Sequence, residues 1–111
     1  MMKLLTILPS SNKSKKWTAV FDIDGKEKKV NFGATGYRDY TLMSSKSSGF
    51  YLPKKSDRDD VKTLYINRHK KREQNLWKTS PMSPATLSRF ILWSAPTMSV
   101  AVSNYRKKFK L

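Results

Sequence analysis

The 111-residue sequence has no cysteine and one histidine, His69. Without thiols there is no disulfide framework, no thiolate metal site and no cysteine nucleophile. A lone imidazole supports neither a multi-histidine metal site nor a histidine relay. No phosphate-cradling glycine loop is present, and no apolar run approaches the ~20 residues of a membrane span. The apolar stretch Leu4–Leu8 falls short of the ~7–15 residues of a signal-peptide core. It is read instead as a strand or a docked N-terminal arm, and the protein is expected not to be secreted. Acids are scarce as well: eight Asp and Glu stand against 23 Lys and Arg, a formal net charge of +15.

A chain of this length fits one domain with a modest core. Hydrophobic residues make up 38% and charged residues 28%, a balance between a globular protein and a basic tail. The 12% of aromatic residues tips it toward folding, because rings bury the most area per side chain. The expected organisation is an N-terminal arm over residues 1–15 and a single small α+β domain over 16–111. The fold class expected is an N-terminal β-hairpin or small antiparallel sheet packed on about three short helices.

The hairpin is read from Trp17, Ala19, Phe21 and Ile23, which alternate with Thr18, Val20 and Asp22. Asp24-Gly25 offers the left-handed backbone of a tight turn, and Val30 and Phe32 continue on the return strand. Residues 33–41 read as an ordered loop ending in a short strand. The Ser-, Lys- and Gly-rich stretch 44–55 reads as a mobile insertion. A first helix is expected to start at Ser56 as N-cap, with Asp57, Asp59 and Asp60 in its first turn, and to end in the cations Arg68 to Arg72. Ser83-Pro84 opens a second helix with the apolar stripe Leu87, Phe90 and Ile91. Pro96 stops it, and Thr97 caps a third with the stripe Met98, Ala101, Val102, Tyr105 and Phe109.

The charge is concentrated in the helical half. Residues 61–111 hold 11 Lys and Arg and one acid, Glu73. A surplus of +15 exceeds the ~2–8 that solubility requires, and its self-repulsion favours a polyanion partner. The candidate polyanion-binding residues are Arg68, Lys70, Lys71, Arg72, Arg89, Arg106, Lys107, Lys108 and Lys110. Arg68 and Arg72 continue the stripe begun by Val61, Leu64 and Tyr65. Three explanations stand: the stripe leaves the core, the guanidinium groups snorkel or stack on rings, or they project together toward an anion. Trp17, Phe21, Phe32, Phe90 and Tyr105 sit at core spacing. Tyr37, Tyr40 and Trp77 fall in expected loops and are candidates for surface contacts, where rings stack on bases.

Catalysis finds little footing. Asp57, Asp59 and Asp60 suit a divalent ion by chemistry, but helix capping explains the same residues. His69 is flanked by cations with no carboxylate partner expected nearby, and Ser88 lacks a Gly-x-Ser-x-Gly elbow. No enzyme activity, metal or cofactor is expected.

The segments Phe32–Thr41, Tyr65–Glu73, Leu87–Trp93, Pro96-Thr97 and Tyr105–Phe109, with the turn Asp24-Gly25-Lys26 before them, occur in an order that resembles a family of small basic proteins of unknown function. Large DNA viruses of algae and amoebae, and some phages, encode that family. The resemblance covers about residues 16–110. This chain departs from it at Ala85, where a glycine is common, and in a longer 44–55 stretch. No catalytic residues come with the family. The resemblance implies a viral origin, and hence genome packaging or virion structure as the setting of the charge. The expected function is a non-enzymatic viral protein that binds nucleic acid, DNA or RNA, through its helical half, in the virion or in the cytoplasm or nucleus of an infected cell. The alternative is a minor capsid protein whose basic surface meets acidic capsid proteins or, peripherally, an anionic inner membrane.

Overall fold

The computed structural model describes residues 1–111. Three strands, β1 (Met2–Pro9), β2 (Lys15–Ile23) and β3 (Lys26–Ala34), form an antiparallel sheet in the order β1-β2-β3. Helices α1 (Tyr40–Met43), α2 (Lys55–Thr79), α3 (Pro84–Leu87) and α4 (Met98–Phe109) follow, so the α+β expectation holds. The N-terminal arm supplies β1.

The hairpin forms where the alternation places it. Asp24 (φ 51°) and Gly25 (φ 88°) both take the left-handed conformation, whose twist matches the flanking strands. The Gly25 N–H also donates to Asp22 Oδ1 at 2.8 Å. In β1 the apolar pattern breaks step, and a bulge between Leu4 and Thr6 explains why. Leu4 pairs with Phe21 and, past the bulge, Ile7 pairs with Ala19, so one extra residue turns Leu4 and Ile7 to the same face. That face joins Phe32 from β3 in one core cluster with Leu87, Ile91, Leu92, Ala101 and Tyr105.

Ser83 caps α3 through Thr86 N–H, and Thr97 caps α4 through Val100 N–H, as read from the sequence. The second helix is not uniformly α. After Leu87 it widens into a π turn, Ser88–Leu92, closed by Trp93 N–H to Ser88 O at 3.0 Å. The wide turn lets Ile91, Leu92 and Trp93 all be buried, which a regular helix stripe does not allow.

The long helix differs from expectation at both ends. It starts at Lys55 with Lys54 in the cap position and no side-chain cap, so Ser56 lies inside the first turn. Asp59 instead accepts from Lys55 Nζ and Tyr40 Oη, both at 2.7 Å, which joins α1 to α2. The helix passes Arg72 and runs to Thr79, because Lys and Arg are good helix formers and no Gly or Pro occurs before Pro81. At 25 residues it is about 37 Å long, in a molecule whose longest dimension is 43 Å. Two residues placed in loops from the sequence are core: Tyr40 lies in α1, and Trp77 lies in α2 packed edge-on to Phe90. Residues 33–41 form no further strand; β3 ends at Ala34 and α1 starts at Tyr40. The 44–55 connection is tied at Leu52, whose N–H donates to Met43 O (2.9 Å) and whose carbonyl accepts from Arg58 Nη1 (2.8 Å).

Gly33 is the one glycine with no room for a side chain. Its φ is 80°, and an added Cβ would stand 2.7 Å from Leu92 Cδ1. Replacing Gly33 with alanine is expected to cost about 2–3 kcal/mol, since left-handed strain of ~1–2 kcal/mol adds to the clash. Chemical denaturation checks this, and Gly25→Ala is the control: its φ is also positive but nothing lies within 4 Å.

Candidate functional site

A groove of about 640 Å³ lies between one end of the sheet, the middle of α2 and α3 with its π turn. The sheet contributes Lys15, Lys16, Gly33 and Ala34, and the β3–α1 loop contributes Tyr37, Arg38 and Asp39. The wall on α2 is Val61, Leu64, Tyr65, Arg68, His69 and Glu73. Those positions step by three and four residues, so they share one helix face. The apolar stripe of α2 thus lines an open groove, and Leu64 remains exposed. Arg68 on that stripe needs no snorkelling, because it is exposed and faces the open groove rather than the core.

Two side-chain contacts, one an ion pair and one a histidine–carboxylate hydrogen bond, brace the groove. Asp39 is buried, accepts from Leu42 N–H (3.0 Å) as N-cap of α1, and accepts from Lys16 Nζ at 2.7 Å. Lys16 Nζ also donates to the Tyr37 carbonyl at 2.5 Å, which holds the loop against β2. On α2, His69 Nδ1 lies 2.7 Å from Glu73 Oε2. The expectation that His69 has no carboxylate partner is therefore corrected: Glu73 is four residues on, one helical turn away.

Along this wall the rings are continuous. His69 stacks on Tyr65 at 4.3 Å between centroids, and Tyr65 stacks on Trp93 at 4.4 Å. Burial pushes the Tyr65 hydroxyl well above its usual range. Arg89 is half-buried nearby, and burial lowers its tendency to hold a proton. It lies 4.8 Å from the Phe90 ring and 5.6 Å from the Trp77 ring.

The candidate residues separate into two groups. Arg68, Lys70, Lys71 and Arg72 are exposed on α2, and Lys107, Lys108 and Lys110 are exposed at the end of α4. Lys108 Nζ lies 4.8 Å from the Phe90 ring, whose neighbours Trp77 and Phe109 link the ends of α2 and α4. Arg89 and Arg106, by contrast, are engaged within the fold. Arg106 Nη2 donates to the carbonyl of the bulge residue Leu5 at 3.3 Å. Only Arg68 of the nine lines the groove, together with three cations from the sheet half that the sequence reading passed over: Lys15, Lys16 and Arg38. The signal for them was the pair Lys15-Lys16 at the start of a strand facing a Gly-Ala-Thr-Gly-Tyr-Arg loop. No three His, Asp or Glu side chains gather into a metal-binding group.

Fold and groove together define a small basic α+β domain with an open, cationic, ring-backed groove. Residues 5–42 match the model of a family of unknown function, DUF5754, which supports an uncharacterised domain family. The matched segment runs from β1 through α1 and includes the loop with Tyr37 and Arg38. No curated protein and no solved structure matches the chain.

Proposed function

We propose that this is a non-enzymatic nucleic-acid-binding protein. The observation that carries the reading is the surface of α2, where Arg68, Lys70, Lys71 and Arg72 are exposed within two turns and none is paired with a carboxylate. Exposed, unneutralised cations at this density favour a phosphate backbone, which releases counterions as it binds. The Lys107, Lys108 and Lys110 cluster extends the same surface chemistry to α4. The resemblance to proteins of large DNA viruses supports a viral setting for this activity, in genome packaging or in the infected cell.

If about five phosphates are neutralised, log K against log salt falls with a slope of roughly −4 to −5 on duplex DNA. Filter binding from low to moderate salt measures that slope, and absence of binding at low salt would overturn the reading. One observation favours a second reading. Leu5 and Leu8 are about half exposed on β1, an open edge strand. Such an edge suits a protein neighbour, as in a minor capsid component, and that reading gains if nucleic acid does not bind.

A further inference from the structure

We propose that the groove between the sheet and α2 seats one nucleotide unit, with its phosphate on Lys15, Arg38 and Arg68 and its base against Tyr37. The proposal rests on the nucleic-acid reading and gives it a specific site, separate from the diffuse charge of α2 and α4.

The charge pattern comes first. Of the groove's five basic groups, Lys16 and His69 already have carboxylate partners, Asp39 and Glu73. Lys15, Arg38 and Arg68 have none. These three come from β2, the β3–α1 loop and α2, so they line one groove from three elements rather than lying along one solvated helix face. Two of them carry the planar fork that grips phosphate oxygens in pairs.

A simple anion would leave the rest of the groove unexplained. Tyr37 is 71% exposed at its edge, an unusual place for a ring with no packing role. Its backbone is nevertheless held, because the Tyr37 carbonyl accepts a hydrogen bond from Lys16 Nζ. The ring is therefore presented on an anchored loop. The opposing wall offers exposed Leu64 and His69, the last ring of the Trp93–Tyr65–His69 stack, whose orientation Glu73 holds. Flat apolar surface beside unpaired cations matches a base beside its phosphate. The volume lies within the roughly 300–1,000 Å³ usual for small-ligand sites. In a duplex the base faces are covered by stacking, so this site takes an unpaired nucleotide, free or within a single strand.

The test uses a fluorescein-labelled oligothymidylate and a labelled duplex of equal length, read by anisotropy on the full chain and on Tyr37→Ala. Tyr37→Ala is expected to weaken single-strand binding about five-fold or more, the range of one lost base–ring stack. Duplex binding and melting temperature should stay essentially unchanged, since the ring is exposed and its carbonyl is kept. Thymidine monophosphate should displace the oligonucleotide more effectively than inorganic phosphate if the site accepts a free nucleotide. Displacement by unlabelled strand alone, with the same Tyr37 dependence, supports the site as part of a single-strand path. Unchanged single-strand affinity for Tyr37→Ala, with the salt-dependent binding of the unaltered protein intact, would overturn the groove while leaving the nucleic-acid reading standing. Phosphate competing as well as the nucleotide would also overturn it. Loss of all binding in the unaltered protein removes both.

Discussion

Replacing Trp93 with alanine is expected to lower stability by about 3–5 kcal/mol, the usual cost of truncating a buried aromatic. A small domain has only ~5–15 kcal/mol in total, so the variant should melt far below the parent or fail to fold. The position explains the size of the effect. Trp93 is 7% exposed, belongs to the main core cluster and closes the π turn with its backbone N–H. Its ring also carries Tyr65, and through Tyr65 the whole middle of α2. Within α2 only Trp77 is fully buried, so the helix depends on a few such contacts. Thermal and guanidinium denaturation followed by circular dichroism measure this; a midpoint close to that of the parent would show that the ring stack does not hold α2 on the core.

The second large effect is expected in binding rather than in folding. Changing Arg68, Lys70, Lys71 and Arg72 together to glutamine should reduce the log–log salt slope by about 3–4 and the affinity roughly a thousandfold at about 0.1 M salt. Stability should stay within about 1 kcal/mol, because all four side chains are exposed and their mutual repulsion is relieved. The two readouts separate cleanly. A slope that does not change would move the phosphate contacts elsewhere, with the Lys107, Lys108 and Lys110 end of α4 as the next surface to alter. A large loss of stability would instead show that the α2 cations support the fold.

The β2–β3 hairpin was legible because its apolar period and its Asp24-Gly25 turn agree. The caps at Ser83 and Thr97 were legible because a hydroxyl before an apolar stripe has few other uses. The first helix extends past its expected ends on both sides, and for one reason: capping residues and terminal cations are weak signals when the intervening residues all favour helix. Asp59, expected as a first-turn carboxylate, is the partner of Tyr40 and Lys55, a choice made by α1 lying across the start of α2. The His69–Glu73 contact, in contrast, follows from i, i+4 spacing alone.

By itself, then, the sequence determined the charge, the absence of thiol chemistry, the hairpin, the α4 stripe and the α+β class. These follow from local periodicity, turn chemistry and composition, which act within a few residues. Only the tertiary structure decided that β1 completes the sheet through a bulge at Leu5, that Trp77 and Tyr40 are core, and that the helix after Leu87 widens to bury three consecutive side chains. It alone brought Lys15, Arg38 and Arg68 to one groove and left Tyr37 at its edge. The physical reason is that a groove is the space left between elements. Its lining depends on how the sheet, α2 and the π turn pack, and that packing is set by contacts between residues tens of positions apart.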